Sequence, residues 1–161
     1  MFSNVKVEST ADVLKNWDEI KKLEKKEKAI STTALDIPLG LPALQRAHKI
    51  GEKTKKYKFD WQKTSEVLAQ LKSEIIELEE AIKEKNESFI EHEMGDVLFS
   101  AAQLARHLEL EPETTLRKTN KRFSDRFDKM LVLADGLENF IKAPSEQKEN
   151  YWQLVKKTEI K

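Results

Sequence analysis

Two acid pairs of the same spacing lie in one stretch of the chain, EIIELEEAIKEKNESFIEHEMGDVLF: Glu74 and Glu77, then Glu93 and Asp96. Residues three apart on a helix sit roughly 60° apart around the axis and about 4.5 Å along it. Each pair therefore projects from one side of its own helix. The polar turn KNES, residues 85–88, lies between the pairs, and a short connection folds consecutive helices antiparallel. Folding there brings both pairs to about the same height. Both also border the face that packs, since Ile75 and Leu78 flank one pair and Met94 and Val97 the other. Four carboxylates crowded at such an interface repel, and desolvation adds to the cost. A hard divalent cation removes the conflict, and a ligand set of oxygens alone favours Mg2+ or Mn2+ over zinc.

Spacing alone does not separate these acids from solvated surface, because pairs such as Glu24/Glu27 and Asp125/Asp128 share it. The hairpin symmetry and Gly95 set them apart. A glycine inside a helix costs about 1 kcal/mol against alanine, so it points to close approach of a backbone or ligand. A second constellation lies in LRKTNKRFSDRF, where Lys118, Arg122 and Arg126 recur every four residues along one helical face. Such a face holds phosphate, pairs with acidic helices or is simply solvated. Trp152 is either a ring for a base to stack on or a core residue. His48 and His107 read as structural or surface residues. No Ser-His or Cys-His constellation offers a covalent nucleophile.

The elements that must position these groups are helices. Apolar residues at helical spacing predict a polar helix over Ala11–Ile30, followed by the loop STTALDIPLGLP. A helix starts near Pro42. The next, about Ser65–Lys85 with Thr64 or Ser65 as its N-cap, carries Leu68, Leu71, Ile75, Leu78 and Ile82 as its inner stripe. Another, about Phe89–Leu108, turns Met94, Val97, Leu98, Ala101, Leu104, Ala105 and Leu108 inward. Pro112 opens a further helix, ADGLENFIKAPSEQ (residues 134–147) reads as looser, and a last helix covers about Glu146–Lys157. The fold class expected is all-α, a bundle of about five to six helices. One domain spans 1–161, with a lead-in helix and loop over 1–40 and a catalytic helical core over 41–161.

Composition narrows the function classes. The charged fraction is 36%, and Lys plus Arg equals Asp plus Glu at 29 each, so no net field favours nucleic acid or an anionic membrane. Cysteine is absent, which excludes disulfides and thiolate metal sites. The N-terminus has no signal-peptide pattern and no apolar run is long enough to span a bilayer, so a cytoplasmic protein is expected.

The helix EHEMGDVLFSAAQLARHL resembles the signature helix of the MazG-type nucleoside triphosphate pyrophosphohydrolases, with Glu74-x-x-Glu77 similar to its upstream partner. GLPALQRAHKIGEKTKKYKFDW, LRKTNKRFSDRF and YWQLVKKTEI resemble further segments of that family, in order, over roughly Asp12 to Ile160. The resemblance implies an all-α, dimerising enzyme that uses Mg2+ to hydrolyse a nucleoside triphosphate to the monophosphate and pyrophosphate. It implies Glu74, Glu77, Glu93 and Asp96 as catalytic metal ligands. Lys118, Asn120, Arg122 and Arg126 on the basic helix would hold the nucleotide, with Trp152 and Lys156 on the last helix. Three positions depart from the family pattern: Gln70 stands where many members have a basic residue, Ser73 replaces a frequent acid, and His92 interrupts a run of acids.

Two other readings compete. A di-iron carboxylate bundle also uses acids on facing helices but wants two Glu-x-x-His pairs, and here the later positions are Glu77 and Asp96. A non-enzymatic helical interaction protein with a vestigial carboxylate site fits the charge density and the polar first helix.

Overall fold

The structure, a computed structural model, describes residues 35–159; the helix expected at Ala11–Ile30 lies outside them. The described residues hold six α-helices and no strand. They are α1 (Ala43–Lys56), α2 (Thr64–Glu84), α3 (Glu87–His107), α4 (Pro112–Leu133), α5 (Leu137–Lys142) and α6 (Ser145–Glu159). Leu39–Lys161 is one compact unit. No helix among the described residues is long and apolar enough to cross a membrane.

Local chemistry sets the helix ends. At the start of α2 the Glu66 carboxylate reaches back to accept from the Gln62 and Lys63 backbone N–H groups, at 2.9 and 3.1 Å. The N-cap is therefore Lys63, and Thr64 already lies inside the helix. Lys85 closes α2 in the left-handed region at φ 55°, and Asn86 opens α3 by accepting from the Phe89 N–H at 3.3 Å. Two residues thus make the whole turn, tighter than the four-residue connection expected. Glu111 caps α4 by accepting from the Thr114 and Glu113 N–H groups at 2.6 and 3.2 Å, and Pro112 follows at the first helical position. The segment read as loose contains α5, whose six residues are too few to show a helical period.

The largest packing surface joins α2 to α3. α3 also packs on α1, and α4 packs against α6 and α1, with only a small contact to α3. The buried face differs from the expected stripes. On α2 the buried residues are Val67, Leu78 and Ala81, whereas Leu68, Ile75 and Ile82 are exposed. On α3 they are Ser100, Ala102 and Gln103, while Met94, Leu98 and Leu108 are exposed. Half of the buried apolar residues described are alanines, namely Ala47, Ala81, Ala102 and Ala134. Small side chains let helices approach closely at the contact. The larger apolar residues of the hairpin are thereby left on its outside.

A polar network ties α1 and the loop after it to α3. Asp60 accepts from Arg106 Nη2 and Nη1 at 2.6 and 2.9 Å and lies 3.1 Å from His107 Nε2. Arg106 Nε donates to Gln103 Oε1 at 2.8 Å, and Gln103 Nε2 donates to the Ala47 carbonyl at 2.7 Å. The Arg106 and Asp60 side chains are only 8% and 10% exposed, so this is a buried pair. Hydrogen bonding from Arg106, assisted by His107, outweighs burial and lowers the Asp60 carboxyl from 3.8 to about 2. Gly51 is required here, because a Cβ would collide with Gln103 Oε1 and Arg106 Nε and stand 2.9 Å from Arg106 Cζ. Close helix approach thus falls at Gly51 and not at Gly95, where a Cβ would meet nothing within 4 Å.

Candidate functional site

The two-residue turn and the packing of α2 on α3 place Glu74, Glu77 and Glu93 together. Each offers a carboxylate oxygen, and these atoms lie within 4.8 Å of one another. Glu74 and Glu93 are half-buried and Glu77 is exposed. Gln70 Nε2 donates to Glu74 Oε1 at 2.7 Å, and Ser73 Oγ donates to Glu77 Oε1 at 3.1 Å. Among the described residues no cation pairs with any of the three carboxylates. Asp96 is one turn along α3 from Glu93 and interacts with His92, its Oδ2 3.3 Å from His92 Nε2. It is not part of the mutual cluster.

The two departures at Gln70 and Ser73 therefore have a place in the site: each is a neutral donor one helical turn before the acid it meets. The signal was present in the sequence as Gln-x-x-x-Glu and Ser-x-x-x-Glu, the spacing at which helical side chains touch. A hard divalent cation suits the three-acid donor set, which is all oxygen, drawn from two helices and without a competing ammonium or guanidinium.

The second constellation is partly assembled. Arg126 Cζ lies 5.4 Å from the Trp152 ring centroid, and Phe123 lies 5.5 Å from the same ring with planes inclined by 47°. Trp152 is thus a packing partner for two α4 side chains. Arg122 Nη2 donates to Thr119 Oγ1 at 3.2 Å, while Lys118 and Asn120 are exposed on the same helix. Lys156 is half-buried on α6. Helix packing does not bring this group against the acids within the described residues, since α2 packs on α3 and α4 packs mainly on α6 and α1. Of the two histidines set aside, His107 belongs to the Asp60 network and His48 lies 3.6 Å from Glu52.

Comparison with known proteins gives this arrangement a context. The family model of the MazG nucleotide pyrophosphohydrolase domain matches residues 62–130. That stretch holds all four acids and the basic face of α4, and stops short of Trp152 and Lys156. The chain is 37% identical over 164 residues to a nucleoside triphosphate pyrophosphohydrolase of Escherichia coli K12, which covers 99% of this chain and 62% of the relative. It is 38% identical over 144 residues to the nucleoside triphosphate pyrophosphohydrolase/pyrophosphatase MazG of Thermotoga maritima, covering 88% of this chain and 54% of the relative. An uncharacterized protein of Bacillus subtilis, YabN, is 35% identical over 99% of the chain, which spans 33% of that relative. The chain thus spans little more than half the length of the two named pyrophosphohydrolases it matches. The stretch that the MazG nucleotide pyrophosphohydrolase domain model matches, residues 62–130, contains the whole acid hairpin.

Proposed function

We propose that the protein is a divalent-cation-dependent nucleoside triphosphate pyrophosphohydrolase, cleaving a (d)NTP between the α and β phosphates to give (d)NMP and pyrophosphate. The observation that carries the reading is the meeting of Glu74, Glu77 and Glu93 from two helices, with no cation of the described residues to balance them. Glu74, Glu77 and Glu93 would hold Mg2+, or Mn2+ in its place, with Asp96 as the fourth acid of the set. When bound, the ion supplies charge neutralisation on the phosphates and a more acidic water.

The rest of the chemistry falls to the chain's own groups. Glu77, the exposed member of the cluster, orients a water and takes its proton as the oxygen bonds to the α-phosphorus. The α–β bridging oxygen leaves with pyrophosphate. The family resemblance gives the departing charge to Arg122, Arg126 and Lys156, with Lys118 and Asn120 beside them, although helix packing within the described residues does not set this group against the acids. Trp152 holds Arg126 in place through its ring face.

The apolar residues on the outside of the hairpin, among them Ile76 and Leu98, support a homodimer in which a second copy covers them. Hydrolysis in 18O-labelled water tests the bond assignment. Label in the monophosphate supports attack at the α-phosphorus. Label in pyrophosphate, or release of orthophosphate, contradicts it.

A further inference from the structure

Every acid of the hairpin but one is met by the side chain four residues before it on its own helix. Gln70 Nε2 donates to Glu74 Oε1 at 2.7 Å, and Ser73 Oγ donates to Glu77 Oε1 at 3.1 Å. His92 Nε2 lies 3.3 Å from Asp96 Oδ2. The exception is Glu93, because the residue four before it is Phe89, whose side chain has nothing to donate. Gln70, Ser73 and His92 are also the three positions at which the sequence departs from the family it resembles. The arrangement is therefore particular to this chain.

The three contacts differ in weight. Gln70 and Glu74 are both half-buried and their bond is the shortest. A hydrogen bond to an ionised carboxylate is stronger than a neutral one, and burial keeps water from replacing this donor. Ser73 and Glu77 are exposed, and the His92 side chain is 68% exposed, so water substitutes for those two partners at little cost. Gln70 is the partner that matters most.

A carboxylate held in this way has one uncommitted oxygen to offer a cation. That suits Mg2+, which is small, octahedral and reluctant to dehydrate, so it keeps several waters and needs few carboxylate oxygens. Ca2+ gathers about 6–8 oxygens and readily takes both from one carboxylate. At Glu74 that would break the Gln70 bond and leave a half-buried amide unpaired. An amide holds the oxygen without adding charge, whereas an ammonium at position 70 would hold it and also repel the ion.

We infer that Gln70 selects the ion. It is a positioning residue that acts through Glu74, keeping that acid to one free oxygen and so favouring Mg2+ over Ca2+. Ser73 and His92 are weaker copies of the same device. This rests on the reading of the hairpin as the metal site of a hydrolase.

The test measures ion binding to the full chain without nucleotide. Mn2+, whose free form is counted by paramagnetic resonance, is displaced by Mg2+ or by Ca2+ in wild type, Gln70→Leu and Gln70→Lys. Wild type yields its Mn2+ to Mg2+ at lower concentrations than to Ca2+. In Gln70→Leu the Kd for Mg2+ rises about 10–100-fold, as loss of a partner behind a metal ligand does. The Kd for Ca2+ holds or falls, because both Glu74 oxygens are now free. Gln70→Lys regains a donor and with it the preference for Mg2+, while both ions bind more weakly than to wild type. Circular dichroism verifies that the variants keep their helices.

A merely structural role for Gln70 moves both ions together. An equal loss of Mg2+ and Ca2+ in Gln70→Leu, or a wild type that binds the two ions alike, therefore overturns the inference and leaves the hydrolase reading standing. Loss of the Mg2+ preference in Gln70→Lys overturns it as well. A wild type that binds no Mn2+ removes the metal site and the inference with it. The predicted change of preference, in a protein whose wild type turns over no NTP, supports the inference and contradicts the hydrolase reading.

Discussion

Replacing Asp60 with asparagine removes one negative charge from a buried pair and little else. Asp60 is held at about 2 against an ordinary 3.8, chiefly by the Arg106 hydrogen bonds. That difference is worth about 2 kcal/mol of folding free energy at neutral pH. Asparagine also leaves the Arg106 guanidinium buried without its anion, and breaking a buried pair from one side costs about 3–5 kcal/mol. At roughly 2–4 °C per kcal/mol for a chain of this size, Asp60→Asn lowers Tm by about 5–15 °C. The pH dependence has a definite sign. The folded-state value lies below the unfolded one, so the contribution is complete above 3.8 and disappears as pH falls towards 2. Thermal melts of wild type and variant from pH 7 to pH 2.5 measure it. The gap between them is constant at neutral pH and narrows below about pH 4. A Tm within about 2 °C of wild type at pH 7, or a gap that widens on acidification, refutes the reasoning.

Gly51→Ala puts a methyl group against Gln103 and Arg106, which are themselves bonded to Ala47 and Asp60 and cannot yield freely. The overpacking cost of about 1–3 kcal/mol exceeds the roughly 1 kcal/mol gained in helix propensity, so urea unfolding shows a net loss; a more stable variant contradicts this. Gln70→Leu removes the donor on Glu74 and weakens Mg2+ binding by about 10–100-fold, measured by calorimetry without nucleotide; unchanged affinity makes the hydrogen bond incidental. Leu98→Glu places a charge on the outer face of the hairpin, where Leu98 is 53% exposed. Light scattering then reports a monomer in place of the dimer proposed for wild type, and a wild-type monomer would remove the proposed interface.

Much of the acid site was legible because it is local. Glu74, Glu77 and Glu93 are fixed by helical spacing on either side of one short turn, and both are written in consecutive residues. The exposed and buried halves of α2 and α3 were not legible. Periodicity marks an apolar stripe broad enough to include both Val67 and Leu68, and only the neighbours of α2 decide which is covered. Gly51 and Gly95 are both glycines inside helices, and sequence cannot tell them apart. The difference is Gln103 and Arg106, more than fifty residues from Gly51. Asp60 and Arg106 likewise meet across 46 positions of chain, with no local pattern to announce the pair. The relation of the basic helix to the acids is tertiary too, which is why the α4 cations were found on one face but not against the hairpin.

The most direct measurement is pyrophosphate release from a panel of NTPs and dNTPs, with and without Mg2+, by wild type and by Glu93→Ala. Glu93 is the α3 member of a cluster otherwise carried by α2, so its loss opens the site from one side. The account predicts Mg2+-dependent release of monophosphate and pyrophosphate by wild type, and a loss of at least about 100-fold in the variant with its helical fold retained. Folded wild type that turns over no nucleotide, or Glu93→Ala that keeps wild-type turnover, would contradict it.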